Sequence, residues 1–247
     1  MRSLIQKIIL KIFALFPLDA YRFASFISNN KLSIALMTLH QNGLNIRTVY
    51  DIGANNGNWS KHLKKDALRQ SQFVLFEANE SHVNSLEKTG LKYFVGVLSS
   101  KENIVDFFSV GGAGDSYFLE STVHYSSVSP KKVLTQTLDK LAKENSLPKP
   151  DLIKLDTQGS EIDILKGGMN ALESASLVLI ECPIVKYNIG APNIHEYIVF
   201  LQSCGFVPID LMETHFVGKI VAQIDLLFMR EDVFKRMYGE SVVRIAK

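Results

Sequence analysis

The order of apolar and polar positions predicts an alternation of strands and helices over most of this chain. Short apolar runs indicate strands near residues 47–53, 72–77, 92–97, 151–156, 177–181, 206–210 and 224–229. Helical patterns lie between them, near residues 57–69, 80–89, 139–145, 160–173 and 193–203. Such strands are joined by right-handed crossovers, so the pattern predicts an α/β fold with a largely parallel sheet. Residues 103–137 interrupt the alternation, with further strands expected near 104–110 and 132–138.

Residues 1–16 have a different pattern, that of a basic amphipathic helix that ends at Pro17. The apolar stripe consists of Leu4, Ile5, Ile8, Ile9, Ile12, Phe13 and Phe16, and the other side carries Lys7 and Lys11. The segment is too short to span a bilayer and lacks a clear signal-peptide cleavage site. Two interpretations stay open: peripheral contact with a membrane or a partner, and packing on the domain or in a homodimer interface.

Length and charge set the limits of the other expectations. The 247 residues suffice for one large domain, so we divide the chain into an N-terminal helical extension (1–45), an α/β domain (46–232) and a C-terminal tail (233–247). The net charge is +2 without a long basic block, so nucleic acid is not an expected partner. The histidines are scattered, and Cys182 and Cys204 lie in apolar surroundings. We therefore expect no metal site, no disulfide and a cytoplasmic location, at the inner face of a membrane if residues 1–16 bind one.

The turn after the first predicted strand is the main candidate for a ligand site. Asp51 ends the strand, and Gly53 and Gly57 enclose a loop that leads into a helix. A dinucleotide site would need Gly-x-Gly-x-x-Gly there, and an acid before the turn would repel a pyrophosphate. An ordinary turn is the simpler alternative, but Glu77 ends the next strand at the spacing of an acid that binds a ribose. Together these features favour a nucleoside ligand that carries positive charge, as S-adenosylmethionine does.

A second strand-to-helix turn repeats the same arrangement. Asp156 ends the apolar strand, Gly159 follows, and Ser160 begins a helix whose first turn contains Glu161. Part of this pattern has a structural explanation, because Ser160 could cap the helix and Glu161 could interact with its dipole. In an open parallel sheet, however, Asp51, Glu77, Asp156 and Glu181 would meet at one rim. Four acids there would repel one another unless a cation or hydrogen-bond donors lie between them.

Several segments, in order, resemble the FkbM family of S-adenosylmethionine-dependent methyltransferases. They are Asp51-Ile-Gly-Ala-Asn-Asn-Gly57, Phe76-Glu77-Ala78-Asn79, Gly96-Val-Leu-Ser99, Thr137-Leu-Asp139 and Ile153-Lys-Leu-Asp156-Thr-Gln-Gly159-Ser-Glu161. The resemblance implies a class I methyltransferase fold, Rossmann-like, with a seven-stranded, mostly parallel sheet whose last strand, residues 224–229, is antiparallel. One departure is Ala78, where the family commonly has proline, and we expect it to alter only the turn.

The resemblance also implies roles for individual residues. Asp51, Gly53, Asn55 and Gly57 would surround the methionine part of S-adenosylmethionine, Glu77 would hold the ribose, and Val97, Leu98 and Ser99 would lie near the adenine. Asp156, Gln158 and Glu161 would face the transferring methyl group and the acceptor hydroxyl. Glu181 and His195 are assigned to the acceptor, with His195 and His215 as reserve bases.

The implied activity is O-methylation of a hydroxyl, most often on a sugar of a glycan, without a metal. Asp156 would orient the hydroxyl and take its proton as the new bond forms, because a carboxylate is too weak a base to remove it beforehand. Three alternatives stay open at this point: a nicotinamide-dependent dehydrogenase, a non-catalytic scaffold in a glycan-assembly complex, and a methyltransferase for a lipid or small-molecule hydroxyl.

Overall fold

The computed structural model describes residues 30–109, 114–121 and 128–239, so the predicted amphipathic helix over 1–16 lies outside the described residues. The elements are α1 (Lys31–Gln41), β1 (Thr48–Ile52), α2 (Asn58–Asp66), β2 (Gln72–Glu77), a 3-10 turn (Glu80–His82), α3 (Val83–Glu87), β3 (Lys92–Val95), β4 (Ile104–Phe107), β5 (Lys131–Leu134), α4 (Leu138–Glu144), β6 (Leu152–Leu155), α5 (Glu161–Lys166), α6 (Met169–Ser174), β7 (Leu177–Pro183), α7 (Ile194–Ser203), β8 (Phe206–Val217), β9 (Ile220–Arg230) and α8 (Glu231–Tyr238).

A seven-stranded sheet in the order β3-β2-β1-β6-β7-β9-β8 forms the centre of the molecule. The pairs from β3 to β7 are parallel, whereas β9 runs antiparallel to both β7 and β8. This order, with one reversed strand near the edge, confirms the predicted class I methyltransferase fold. Because β1, β2, β6 and β7 run in the same direction, their carboxyl ends meet at one rim.

The central strands are buried on both faces, which explains why they are continuous apolar runs. Tyr50, Ile52 and Ile153 pack on one face against residues of α4, α5 and α7. Val49 and Leu75 pack on the other face against residues of α1, α2 and α8. The two apolar layers fix the strands rigidly and so position the side chains that leave the rim. None of the helices in the described residues has the length and hydropathy needed to cross a membrane.

Several predicted boundaries differ from the structure. The predicted helix 160–173 is divided into α5 and α6 at Gly167, where a Cβ would lie 2.2 Å from the backbone oxygen of Ser99. The strands β8 and β9 are longer than predicted and join through a turn at Gly218, whose φ is +61°. Residues 233–238, placed in the tail, belong instead to α8, and Val233 and Phe234 of that helix are buried in the core.

The interruption predicted over 103–137 is an insertion on the rim side of the sheet. Its strands β4 and β5 form a separate antiparallel pair, and β5 ends at Leu134 because Thr137 already caps helix α4. The described part of the connection between them, residues 114–121, runs over the rim. There Ser116 Oγ donates a hydrogen bond to the backbone oxygen of Gln158 at 3.0 Å. The insertion therefore forms one wall of the site.

Candidate active site

A cleft of about 660 Å³, open to solvent, lies at the carboxyl ends of β1, β2 and β6. Its predicted lining residues are Gly53, Asn55, Glu77, Val97, Leu98, Asp156 and Gln158. Its other lining residues are Ile52, Phe76, Ala78, Gly96, Phe107, Asp115, Ser116, Tyr117, Thr157, Ser160 and Ile164. The predicted residues Asp51, Gly57, Ser99, Glu161, Glu181 and His195 lie outside this lining. The cleft therefore combines carboxylate, amide and hydroxyl groups with apolar side chains.

The carboxylate of Glu77 is fixed at one end of the cleft by backbone amides. Asn55 N donates to its Oε2 at 2.6 Å, and Asn79 N donates to its Oε1 at 2.8 Å. Burial raises the pKa of Glu77, and these two hydrogen bonds oppose that effect. Asn55 reaches Glu77 because its φ is +49°, a left-handed conformation that asparagine tolerates. The loop after β1 and the acid after β2 thus form one unit.

Gly53 is required for contact between two loops of the protein. Its φ is +77°, and a Cβ there would lie 1.8 Å from the backbone oxygen of Asp156. Gly57, with a φ of +75°, would place a Cβ 2.6 Å from a side-chain carbon of Thr89. Sequence reasoning attributed these glycines to the approach of a ligand. In the structure, the close contacts that require them are made by the chain itself.

The segment after β3 supplies apolar residues of the cleft. Val97 and Leu98 are buried and line it. Ser99 is 8% exposed and lies behind this wall, where its Oγ is 3.4 Å from the hydroxyl of Tyr117. The first two residues can contact a bound ligand directly, whereas Ser99 can position Tyr117.

Lys154 lies between two of the acids that were predicted to meet. Its Nζ is 3.3 Å from Asp51 Oδ1 and 3.3 Å from Asp156 Oδ2, and it donates to the backbone oxygen of Gly53 at 3.1 Å. Asp51 is fully buried and also accepts a hydrogen bond from Ser60 Oγ at 2.7 Å. Asp51 therefore has a structural contact with Lys154 and does not face the cleft.

Asp156 is the acid that reaches solvent, with 40% of its side chain exposed. Burial of the carboxyl acts to raise its pKa, but the charge of Lys154 and hydrogen bonds from Lys154 and Gln158 outweigh it and hold the pKa below the ordinary value. Gln158 Nε2 donates to Asp156 Oδ1 at 3.2 Å. Asp156 is consequently ionised, oriented and accessible.

Gln158 connects Asp156 to Glu181 on the next strand. Its Nε2 also donates to Glu181 Oε2 at 2.7 Å, and the same oxygen accepts from Gln223 Nε2 at 2.5 Å. Its own Oε1 accepts from the hydroxyl of Tyr187 at 3.0 Å. Burial and the charges of neighbouring acids raise the pKa of Glu181 well above its ordinary value. Gln158 thus holds Asp156 and Glu181 in one hydrogen-bonded group.

Glu161 is 1% exposed, and its carboxylate organises the turn after β6. It accepts from Thr157 N at 2.8 Å, from Gly159 N at 3.0 Å and from the hydroxyl of Tyr197 at 2.7 Å. The predicted Ser160 cap does not form, because Ser160 Oγ donates to the backbone oxygen of Thr157 at 3.1 Å instead. These contacts assign Glu161 to positioning of the loop that carries Asp156.

The two candidate histidines lie in different environments. His195 is exposed in the first turn of α7 and does not line the cleft. His215 is on β8, with its Nε2 3.2 Å from Asp225 Oδ1. A hydrogen bond and the charge of Asp225 raise the pKa of His215 against the effect of burial.

Sequence reasoning did not identify Lys154, Tyr187, Tyr197 or Gln223 as site residues. For Lys154 a signal exists, since a lysine inside an otherwise apolar strand that is buried on both faces needs a charged partner. Gln223 and the tyrosines have no comparable local signal. Gln223 is on the antiparallel strand β9, Tyr197 is on α7, and Tyr187 is in the loop that connects β7 to α7.

A match to a family model establishes the family of this chain. The model of the Methyltransferase FkbM domain matches residues 51–208, which contain both loops of the cleft. The chain belongs to the FkbM methyltransferase family. A short segment is also similar to the hexuronic acid methyltransferase AglP of Haloferax volcanii, with 42% identity over 43 residues, 17% of this chain and 18% of that enzyme.

Solved methyltransferases align with this chain at low sequence identity. The FkbM methyltransferase of Methylobacillus flagellatus is 13% identical, and the alignment covers 73% of this chain and 43% of that one with a TM-score of 0.46. The precorrin-6y C5,15-methyltransferase of Geobacter metallireducens is 10% identical, with coverage of 81% and 88% and a TM-score of 0.43. The chain therefore spans less than half the length of the first of these proteins.

Proposed function

We propose that this FkbM family member is an S-adenosylmethionine-dependent O-methyltransferase that acts on a hydroxyl of a sugar in a glycan or glycoconjugate. The observation that carries the proposal is the carboxylate of Glu77, held at the cleft wall by the amides of Asn55 and Asn79. A carboxylate fixed in this way can still accept hydrogen bonds from the two hydroxyls of a ribose.

Other features of the cleft fit the same cofactor. Val97, Leu98 and Phe107 provide an apolar surface for an adenine ring. Thr157 lines the cleft, and among the described residues its buried Oγ1 has no hydrogen-bond partner. A buried polar atom without a partner is costly, so a ligand with a polar group at this position would be favoured.

S-adenosylmethionine would supply a methyl group on a positively charged sulfur. The negative charge of Asp156 in the cleft favours the binding of such a cation. Asp156 can also hold an acceptor hydroxyl and take its proton as the carbon–oxygen bond forms and the carbon–sulfur bond breaks. Holding the reacting atoms in line can contribute about 7–11 kcal/mol to catalysis. Proton transfer to a positioned base adds about 10²–10⁴-fold.

The similarity to a hexuronic acid methyltransferase supports a sugar acceptor, although it covers only a short segment. We therefore expect glycans that contain hexuronic acids to be the first acceptors to assay. Transfer of a radiolabelled methyl group to such glycans, compared with neutral glycans and with lipid hydroxyls, would separate the proposed acceptor class from its alternatives.

The first experiment is calorimetric titration of the full chain with S-adenosylmethionine and S-adenosylhomocysteine. We expect micromolar affinity, which corresponds to about −8 kcal/mol. The Glu77→Ala variant should bind at least tenfold more weakly, and His195→Ala, which alters an exposed residue outside the cleft, should bind as the wild type does. The absence of binding by a folded wild-type protein would contradict the proposal and favour the scaffold alternative.

A further inference from the structure

Three side chains that can bind metals converge beside the cleft, on the antiparallel part of the sheet. Glu181 on β7 is the cross-strand partner of Asp225 on β9, and His215 on β8 is paired with Gln223, two residues from Asp225. One ligand atom from each of Glu181, His215 and Asp225 lies within 4.8 Å of the other two. Three hydrogen-bonded strands carry these residues, so their backbone positions are rigid.

We propose that Glu181, His215 and Asp225 form a binding site for a divalent first-row transition-metal ion such as Mn²⁺ or Zn²⁺. One imidazole and two carboxylates are ligands that these ions accept. Ligand atoms lie about 2.0–2.2 Å from zinc, and in tetrahedral geometry about 3.3–3.6 Å from one another. His215 Nε2 and Asp225 Oδ1 are already 3.2 Å apart. Glu181 would need to move by at most about 1.5 Å, which a rotation of its side chain can supply.

The surroundings of Glu181 resemble those of a metal-bound carboxylate. Gln158 Nε2 and Gln223 Nε2 donate to its Oε2 at 2.7 Å and 2.5 Å. Both bonds use the same oxygen, so they orient the carboxylate without using Oε1. Hydrogen bonds of this kind hold ligands in place in known metal sites.

The charges around Glu181 and Asp225 favour a bound cation over an ion pair with His215 alone. Lys154 is next to Asp51 and Asp156, so it compensates charge on β1 and β6. Among the described residues, Glu181 forms no ion pair with a lysine or arginine, and its Oε2 accepts only from the amides of Gln158 and Gln223. A divalent ion bound to the two carboxylates and a neutral imidazole would neutralise both acids at once.

The site can be reached from solvent. Asp225 lines a second cleft of about 940 Å³, which is also lined by Trp59 and His62 of α2 and by Glu213 of β8. Three protein ligands leave coordination positions open to water or another oxygen ligand. A metal-bound acceptor hydroxyl would be more acidic, and Asp156 is connected to Glu181 through Gln158. That consequence rests on the proposed function, whereas metal binding itself does not.

The test is direct measurement of metal binding by the full chain after removal of metals with a chelator. Titration with Mn²⁺, followed by the electron paramagnetic resonance signal of the free ion, should reveal one bound ion per chain. The variants Asp225→Asn and His215→Ala should bind at least tenfold more weakly. The control His195→Ala removes an exposed histidine and should retain the wild-type affinity. A calorimetric titration with Zn²⁺ should give the same ranking.

Two outcomes would overturn the site: no binding by the wild-type protein, or wild-type affinity in both ligand variants. Thermal unfolding identifies a variant that fails to fold, in which case Glu181→Gln replaces it. Titration of each variant with S-adenosylhomocysteine separates the two proposals. Metal binding without nucleoside binding would contradict the proposed function and leave the metal site intact, and the reverse result would contradict only the metal site.

Discussion

The positive charge of Lys154 lies next to Asp156, whereas a carboxylate at a strand end in water would have no such neighbour. Both carboxylates near Lys154 lie 3.3 Å from its Nζ, and the lysine itself is buried. Ionisation of Asp156 is therefore favoured, while 40% of its side chain remains accessible to a reactant. Because its pKa is below the ordinary 3.8, Asp156 stays ionised throughout the neutral and mildly acidic range. Its capacity to accept a proton during a reaction does not depend on pH in that range.

The Asp156→Asn variant tests this role. The asparagine retains the shape of the side chain but cannot take a proton, so turnover should fall by about 10²–10⁴-fold. Affinity for S-adenosylhomocysteine should change by no more than a few-fold, because Glu77 and the apolar wall are unaltered. Methyl-transfer assays and calorimetry measure the two quantities separately.

Asp106→Asn is the matched control for this change. Asp106 forms an ion pair with Lys132 in the β4–β5 insertion, and 43% of its side chain is exposed, close to the value for Asp156. Its substitution removes a carboxylate from a lysine pair outside the cleft, and we expect unchanged turnover. Equal turnover of Asp156→Asn and the wild type would remove Asp156 from the mechanism.

At the scale of elements, the cleft depends on contact between the loops that follow β1 and β6. The backbone at Gly53 approaches Asp156 so closely that no side chain fits between them. Gly159 has a similar position, since a Cβ there would lie 2.6 Å from Ala191 Cβ and its φ is +109°. Gly53 lets the loops after β1 and β6 approach one another, and Gly159 lets the turn after β6 approach the segment before α7.

Gly53→Ala should destabilise the protein more than Gly43→Ala. At both positions φ is positive, so both variants lose about 1–2 kcal/mol from backbone strain. Gly43 has no atom within 4 Å of an added Cβ, whereas the Cβ at position 53 would overlap the Asp156 oxygen. We expect a total loss of about 3 kcal/mol or more for Gly53→Ala. Denaturant unfolding measures both losses, and equal values would contradict the proposed loop contact.

The strand and helix alternation was predictable because the central strands are apolar on both faces. The prediction was wrong where a tertiary contact decides the local structure, as at Gly167, which divides the predicted helix against Ser99. The length of β8 and β9 was missed although Gly218 marks their turn. In the site, Glu77 and Asp156 were accessible to sequence reasoning because both end parallel strands. Gln223 could not be predicted as a site residue, since its position depends on the reversed strand β9.

At the scale of the whole molecule, the net charge is only +2, although buried acidic groups are concentrated at one rim of the sheet. Among the described residues there, the carboxyl and imidazole groups whose pKa is raised in the folded state are Glu77, Glu161, Glu181 and His215. For the three acids the first cause is burial, and for His215 it is the hydrogen bond with Asp225. The groups with a lowered pKa are Asp156, Glu196 and Asp232.

These directions predict how stability depends on pH. A group with a raised pKa binds more protons in the folded state than in the unfolded state, so its stabilisation is lost as pH rises from its ordinary pKa through its folded pKa. That window begins at 4.5 for the glutamates and at 6.5 for His215. For groups with a lowered pKa, stabilisation is instead lost as pH falls, and only below their ordinary pKa values of 3.8 for aspartate and 4.5 for glutamate. Among the described residues, only the groups with a raised pKa contribute between pH 5 and 8, and the free energy of unfolding should decrease.

Glu161 allows this prediction to be tested at one residue. In Glu161→Gln the amide oxygen can accept from Thr157 N and Gly159 N, and the amide nitrogen can donate to the hydroxyl of Tyr197, so the turn keeps its hydrogen bonds. Tyr197 and Cys182 have raised pKa values and stay neutral over the same range, so they do not alter the comparison. We expect the unfolding midpoint of the wild-type protein to be higher at pH 5 than at pH 8 in denaturant titrations without metal or nucleoside. The variant should have a smaller difference, because one buried carboxylate no longer has to lose its proton. A midpoint that rises from pH 5 to pH 8 in the wild-type protein would mean that these acids are already compensated by charge in the folded state.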